Sequence, residues 1–337
     1  MRRPGLATLL GLVAVAAIPS ACSFSQGVAR GATVTAAAPQ TSRWKVDETN
    51  AGAFNVVSCA SARFCVAVGT STGTDNVVEF ENGSWGAPRQ LEQYAGEVVS
   101  LSCPEVGWCV ALTDLAAATI LRDGRWSRLT TIDPNPGPPY PGMTNAVSCT
   151  SSRFCVAVDA QGNTETYNGT SWTKPLRADP DYPLNDISCI SRAFCTAVDG
   201  GGRVLDYRDG HWSNPAPVDT TALTAISCGG HGFCAAVDLL GRAVLLTDSG
   251  WSHPTRIDSI TETPIEVSCW QKEQCLAVDS AGRVQTLKNN EWTPPRAPNL
   301  SSGSTGSLVD VSCPVAAPVF CAAVDASGDA LTAALQP

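Results

Sequence analysis

Cysteines, histidines and carboxylates are the residues of this 337-residue chain that could carry chemistry: fifteen Cys, three His and thirty-one Asp or Glu. The histidines, His211, His231 and His253, never recur at a metal-ligand spacing. That assigns them structural or solvent roles and gives no metal site. No Gly-rich phosphate loop, G-x-S-x-G or H-E-x-x-H occurs, so no nucleophile or metal-bound base is marked and no catalytic residue or cofactor is expected. The carboxylates are plentiful, but sequence alone does not set two of them across a glycosidic bond.

The cysteines are more regular. Fourteen of the fifteen form seven pairs, Cys59/Cys65, Cys103/Cys109, Cys149/Cys155, Cys189/Cys195, Cys228/Cys234, Cys269/Cys275 and Cys313/Cys321. Each pair sits in one phrase, as in VSCTSSRFCVAVDAQG from Val147 to Gly162 or ISCISRAFCTAVDGGG from Ile187 to Gly202. Cys22 alone is left over, at the end of an N-terminal segment of different material: MRRPG, a largely apolar run of thirteen residues, then Pro19-Ser20-Ala21-Cys22. A basic start, a short apolar run and a small-residue stop read as a secretory signal over residues 1–21. The run is too short to span a bilayer. Export places the cysteine pairs in an oxidising compartment, where they form disulfides.

The elements that must position these pairs follow from the period. First cysteines recur every 39 to 46 residues, a spacing typical of propellers and solenoids. Each unit reads as a strand ending at Ser-Cys, a short loop, a strand such as CVAVD, a turn, a third strand, and a fourth near a Trp. Four short strands per forty residues make one propeller blade. Trp85, Trp126, Trp172, Trp212, Trp251 and Trp292 stand late in six repeats. The seventh repeat has none, while Trp44 precedes the first cysteine pair. That displacement predicts an all-β, seven-bladed β-propeller over 44–337, closed by strand exchange between the N- and C-termini. Each cysteine pair then flanks the hairpin between a blade's first and second strands, within disulfide reach. Small residues in the second strands (Ala157, Ala197, Ala236, Ala277, Ala323) let blades stack. The aromatic before the second cysteine in six repeats is read as packing.

Asp159, Asp199, Asp238, Asp279 and Asp325 open D-x-x-G turns, where Asp caps backbone N–H groups and Gly accepts positive φ. The longest connection between blades, IDPNPGPPYPGMTN (132–145), and its equivalent one blade on, RADPDYPLND (177–186), are stiffened by Pro and carry Tyr140 and Tyr182. In a propeller these connections share a face with the D-x-x-G turns. Tyr140, Tyr182, Asp159 and Asp199 therefore form a candidate binding rim, since binding residues concentrate on loops held by a rigid scaffold.

Residues 44–337 resemble the cysteine-containing seven-bladed propeller repeats of secreted actinobacterial proteins, whose units read SC-x-x-x-x-F-C-x-A-V followed by G-x-x-W. The N-terminal segment resembles a bacterial lipoprotein signal, although Pro19 stands where that signal usually has an aliphatic residue. The resemblance implies acylation of Cys22, a flexible tether over 22–43, and a place on the outer face of the cytoplasmic membrane; without acylation the protein is secreted. Net charge is −9 with no basic stripe, which argues against nucleic acid as a partner. The expected function is a monomeric, lipid-anchored extracytoplasmic binding or scaffold protein that engages a protein or glycan partner in the cell envelope. The alternative is a secreted carbohydrate-active enzyme, a hydrolase or lyase, with acidic residues at the central channel.

Overall fold

The computed structural model describes residues 43–91, 96–134, 144–258, 264–300, 306–315 and 319–335. Cys22, Tyr140 and residues 1–42 lie outside them. The described residues form seven sheets, almost wholly antiparallel, and no helix. Each repeat builds one sheet, and we number the blades 1 to 7 by their cysteine pairs. Blade 4 is representative: Leu184–Ser191, Phe194–Asp199 and Arg203–Arg208 run up and down, and the short segments His211–Trp212 and Ala216–Pro217 pair with the third strand.

The second strands of blades 2 to 5 are buried along their whole length, because each is covered on both faces by the neighbouring blades. The core is accordingly a ring of inter-blade clusters. Val156, Val158 and Phe154 of blade 3 pack on Ile187, Ala197 and Leu205 of blade 4. Blade 7 packs on blade 1 in the same way, through Phe320, Ala322 and Val324 against Phe54, Val57 and Phe80. The second-strand alanines have no exposed surface, which permits this close approach. Gln274 replaces the aromatic residue in blade 6, and there Trp270 fills the space and donates its indole N–H to Gln274 Oε1 at 2.9 Å.

A disulfide joins every cysteine pair within its own blade. The bonds are Cys59–Cys65, Cys103–Cys109, Cys149–Cys155 and Cys189–Cys195 in blades 1 to 4. Cys228–Cys234, Cys269–Cys275 and Cys313–Cys321 follow in blades 5 to 7. Their Cα atoms are 3.9–4.2 Å apart, somewhat closer than the ~4.5–5.5 Å of facing residues in an ordinary ladder. The partners are six positions apart in six blades and eight in blade 7. In blade 4, for instance, Cys189 and Cys195 face one another across the ladder. The last sheet contains strands from both ends of the described chain. Arg43–Glu48 runs antiparallel to Asp329–Leu335, in a register that pairs Lys45 with Thr332 and Asp47 with Ala330. Trp44 is buried in the cluster between blades 6 and 7.

The D-x-x-G turns have two separate needs for glycine. Gly162 has φ +78°, and a Cβ added to it would lie 2.1 Å from the Asp179 carbonyl oxygen. That carbonyl belongs to the connection leading into blade 4, so the turn after each second strand touches the segment that links its blade to the next. The same carbonyl-to-turn approach recurs at Gly202, against Asp219.

Candidate functional site

The first strands surround a central channel of about 400 Å³. Its wall is tied together by a repeated contact that the cysteine pattern conceals. The serine before each first cysteine accepts a hydrogen bond from the backbone N–H of the corresponding cysteine in the next blade. The contact begins with Cys103 N to Ser58 Oγ, continues through all seven blades, and returns with Cys59 N to Ser312 Oγ, every distance being 2.9–3.0 Å. The circle is complete.

The cysteines themselves belong to the scaffold. Cys65, Cys109, Cys155, Cys195, Cys234, Cys275 and Cys321, the second members of the pairs, have no exposed surface. Each lies in a second strand between two neighbouring blades, bonded to its partner, so none offers a thiolate to a substrate or a metal.

Three carboxylates stand on the channel wall, two positions N-terminal to those serines: Asp186, Glu266 and Asp310. Asp186 accepts the N–H of Ile187 at 2.7 Å and that of Ile226, in the next blade, at 2.6 Å. Asp310 accepts the N–H of Val311 at 2.6 Å and that of Val57 at 2.7 Å. Glu266 accepts the N–H of Val267 at 3.0 Å. Burial pushes the Asp186 and Asp310 carboxyls up to about 7, against the pull of those backbone donors. Burial, and then the charges of Asp186 and Asp310, hold Glu266 well above the usual carboxylate range. Acids at the channel are what the enzymatic alternative requires. Both oxygens of Asp186 and of Asp310 nevertheless bind main chain, so these two groups act as joints between blades.

On the face carrying the D-x-x-G turns, a second system repeats in blades 4, 5 and 6. Asp199 Oδ1 accepts the N–H groups of Gly201 and Arg203, both at 2.8 Å. Arg203 then donates Nε to Asp199 at 2.6 Å and Nη2 to Asp179 at 2.6 Å. Arg242 joins Asp238 to Asp219, and Arg283 joins Asp279 to Asp258, in the same way. Each guanidinium thus fastens a turn to the connection arriving from the preceding blade. Blade 3 departs from this arrangement. Asn163 occupies the arginine position and gives Nδ2 to Asp159 at 2.9 Å. Beside it Asp133, Asp159 and Glu165 converge, all three buried, with one oxygen from each within 4.8 Å of the others.

The expected rim is therefore only partly a rim. Asp159 and Asp199 are buried turn formers whose oxygens are engaged by main chain, Asn163 or Arg203, and they do not face solvent. Tyr182 is exposed on that face, with the Arg203 guanidinium 4.5 Å from its ring centroid. The turns also carry exposed leucines that composition did not flag: Leu115 in the turn of blade 2, and Leu239 and Leu240 in the turn of blade 5. Sequence reasoning also missed the serine circle and the arginine bridges. Both had a signal, a Ser before every first cysteine and an Arg after the Gly of three D-x-x-G turns. A further cleft of about 410 Å³ opens on the outer side between blades 1 and 2, lined by Arg89, Arg125 and Trp126. It gathers no carboxylate, thiol or imidazole.

No protein-family model matches the chain, and no curated protein matches its sequence. Solved propellers of very low identity share the fold. The RRP9 WD40 repeats superpose with a TM-score of 0.71 at 8% identity, covering 88% of this chain and 99% of that one. The WD40 β-propeller domain of Doa1 gives 0.67 at 9% identity, covering 88% and 97%. YCF48 bound to D1 peptide gives 0.62 at 12% identity, covering 87% and 97%.

Proposed function

We propose that this protein is a non-catalytic scaffold, exported and lipid-anchored through Cys22, that binds a protein of the cell envelope on the face carrying the D-x-x-G turns. The observation that carries the reading is Leu239-Leu240. Each is 53% exposed at the tip of the blade 5 turn, where the sister turns have Ala160-Gln161, Gly200-Gly201, Ser280-Ala281 and Ala326-Ser327. A turn has no need of two leucines, and solvent-facing apolar side chains on one face mark an interaction surface. WD40-type propellers commonly serve as protein-binding scaffolds, and the solved YCF48 propeller is bound to D1 peptide, so the fold suits the role. The paired cysteines and the apolar segment ahead of Cys22 support export.

Cross-linking in the exporting cell, with Leu239→Asp/Leu240→Asp as the comparison, tests the surface. Wild type should yield a discrete protein adduct that the variant loses while melting at the same temperature. Adducts unchanged in the variant, or a glycan-only adduct, overturn the assignment. Cys22→Ser should move the protein out of the membrane fraction with its fold intact; a wild-type chain already absent from that fraction removes the anchor.

A further inference from the structure

The three-acid cluster between blades 2 and 3 differs from its sister positions in two ways at once. Strand register makes the comparison residue by residue. Glu165 faces Ala157, as Leu205 faces Ala197, Val244 faces Ala236 and Gln285 faces Ala277. Asp159 corresponds to Asp199, Asp238 and Asp279, and Asp133 to Asp179, Asp219 and Asp258, by their places in the turns and connections. Blades 4 to 6 set a guanidinium between those two aspartates. Blade 3 replaces the arginine with neutral Asn163 and, where the sisters are uncharged, adds a carboxylate. Loss of the cation and gain of a third acid both raise the negative charge of one enclosed space.

Glu165 gives the second, independent indication. It has no exposed surface, and among the described residues neither of its carboxylate oxygens has a hydrogen-bond partner. A buried carboxylate without a partner is costly, and such groups are normally paired or coordinate a metal. We propose that Asp133, Asp159 and Glu165 form a calcium-binding site that occupies, in blade 3, the place the arginine guanidinium takes in blades 4, 5 and 6.

The donor set is all oxygen, which selects a hard cation. Two oxygens on one Ca²⁺ at about 2.4 Å can stand up to about 4.8 Å apart, and the three oxygens lie within 4.8 Å of one another. Magnesium keeps several waters in its shell, whereas calcium accepts a shell built from protein oxygens, and this cluster is closed to solvent.

The test is calorimetric titration of the chelator-treated full chain with CaCl₂. One ion per chain is expected, with saturable binding to the wild-type chain. Glu165→Gln should weaken binding at least tenfold. The double variant Asn163→Arg/Glu165→Leu, which rebuilds the blade 4 arrangement, should bind no calcium and melt at one temperature with or without chelator. No saturable binding to wild type overturns the proposal. So does binding that Glu165→Gln leaves unchanged, or a wild-type melting temperature that calcium does not raise.

Discussion

Replacing Arg283 with Met removes one of the three turn-fastening guanidiniums while keeping an unbranched side chain of similar reach. Arg283 lies 2.7 Å from Asp279 and 3.0 Å from Asp258, and both carboxylates are wholly buried, with the arginine side chain itself 13% exposed. Breaking a buried ion pair by deleting one partner costs about 3–5 kcal/mol, because the surviving charge stays enclosed. For a domain of roughly 290 residues the unfolding entropy is about 0.6 kcal/mol/K, so the melting temperature should fall by about 5–8 °C. Lys272→Ala supplies the contrast. Its ammonium is 2.9 Å from Asp248, but the two side chains are 46% and 81% exposed, so water and salt screen the pair and its loss should barely move the melting point. Differential scanning calorimetry at pH 7 distinguishes the two, provided that unfolding is reversible. An Arg283→Met melting point within 2 °C of wild type, or no lower than that of Lys272→Ala, would refute the claim that the bridges hold turn to connection.

Three further outcomes follow from the channel wall and the last sheet. Ser188→Ala leaves the buried N–H of Cys228, now bonded at 3.0 Å, without its acceptor; about 1–3 kcal/mol should be lost, and that amide should lose hydrogen-exchange protection beyond any other in blade 5. Asp310 keeps its proton to about 7 in the folded chain, against 3.8 as its ordinary value. Between these pH values the folded state binds more protons than the unfolded one, so the stability from this group is full below about 4 and lost as pH rises through about 7. The advantage of wild type over Asp310→Asn in urea should therefore shrink from pH 4.5 to 7.5, and parallel pH profiles would remove Asp310 from the account. Deleting the chain through Glu48 uncovers the edge of Asp329–Leu335 and removes buried Trp44, so it should lower the melting point by more than 5 °C, while deleting residues 24–30 should leave it unchanged.

The parts of the fold that were legible in the sequence are those fixed by local rules. Cysteines six apart around a strand-turn-strand phrase locate a hairpin, and D-x-x-G locates the turn that follows, because positive φ and an Asx cap have few alternatives. Trp44 stands ahead of the first cysteine pair, and its strand, Arg43–Glu48, pairs with Asp329–Leu335. The binding rim was poorly legible. Asp159 and Asp199 carry the same residue type whether they face solvent or a turn, and only three dimensions show that Arg203 covers one and Asn163 the other. Leu239 and Leu240 read as ordinary apolar residues in a chain that is 44% hydrophobic; their exposure depends on standing at a turn tip. The channel acids escaped notice because Asp186, Glu266 and Asp310 belong to different repeats and are brought together only by the closed circle of blades.

That circle also explains why each repeat carries the dipeptide Ser-Cys and not merely a cysteine. A disulfide closing so small a loop contributes only about 2 kcal/mol through chain entropy, and each hairpin is already held by its own ladder. The first cysteine has another connection: its amide is the donor to the preceding blade's serine. The sulfur bridge pins that amide at the end of the first strand, beside a register irregularity that follows Cys59, Cys149, Cys189, Cys228 and Cys269. The disulfide acts within the blade and the serine acts between blades, and they meet at one residue. Reduction would then loosen the channel wall at the joint between two blades, a larger unit than the hairpin containing the bond. The faces of the propeller, by contrast, take no part in the circle. Their turns are free to differ, and it is there that Leu239-Leu240, Tyr182 and the acids of blade 3 depart from the repeat.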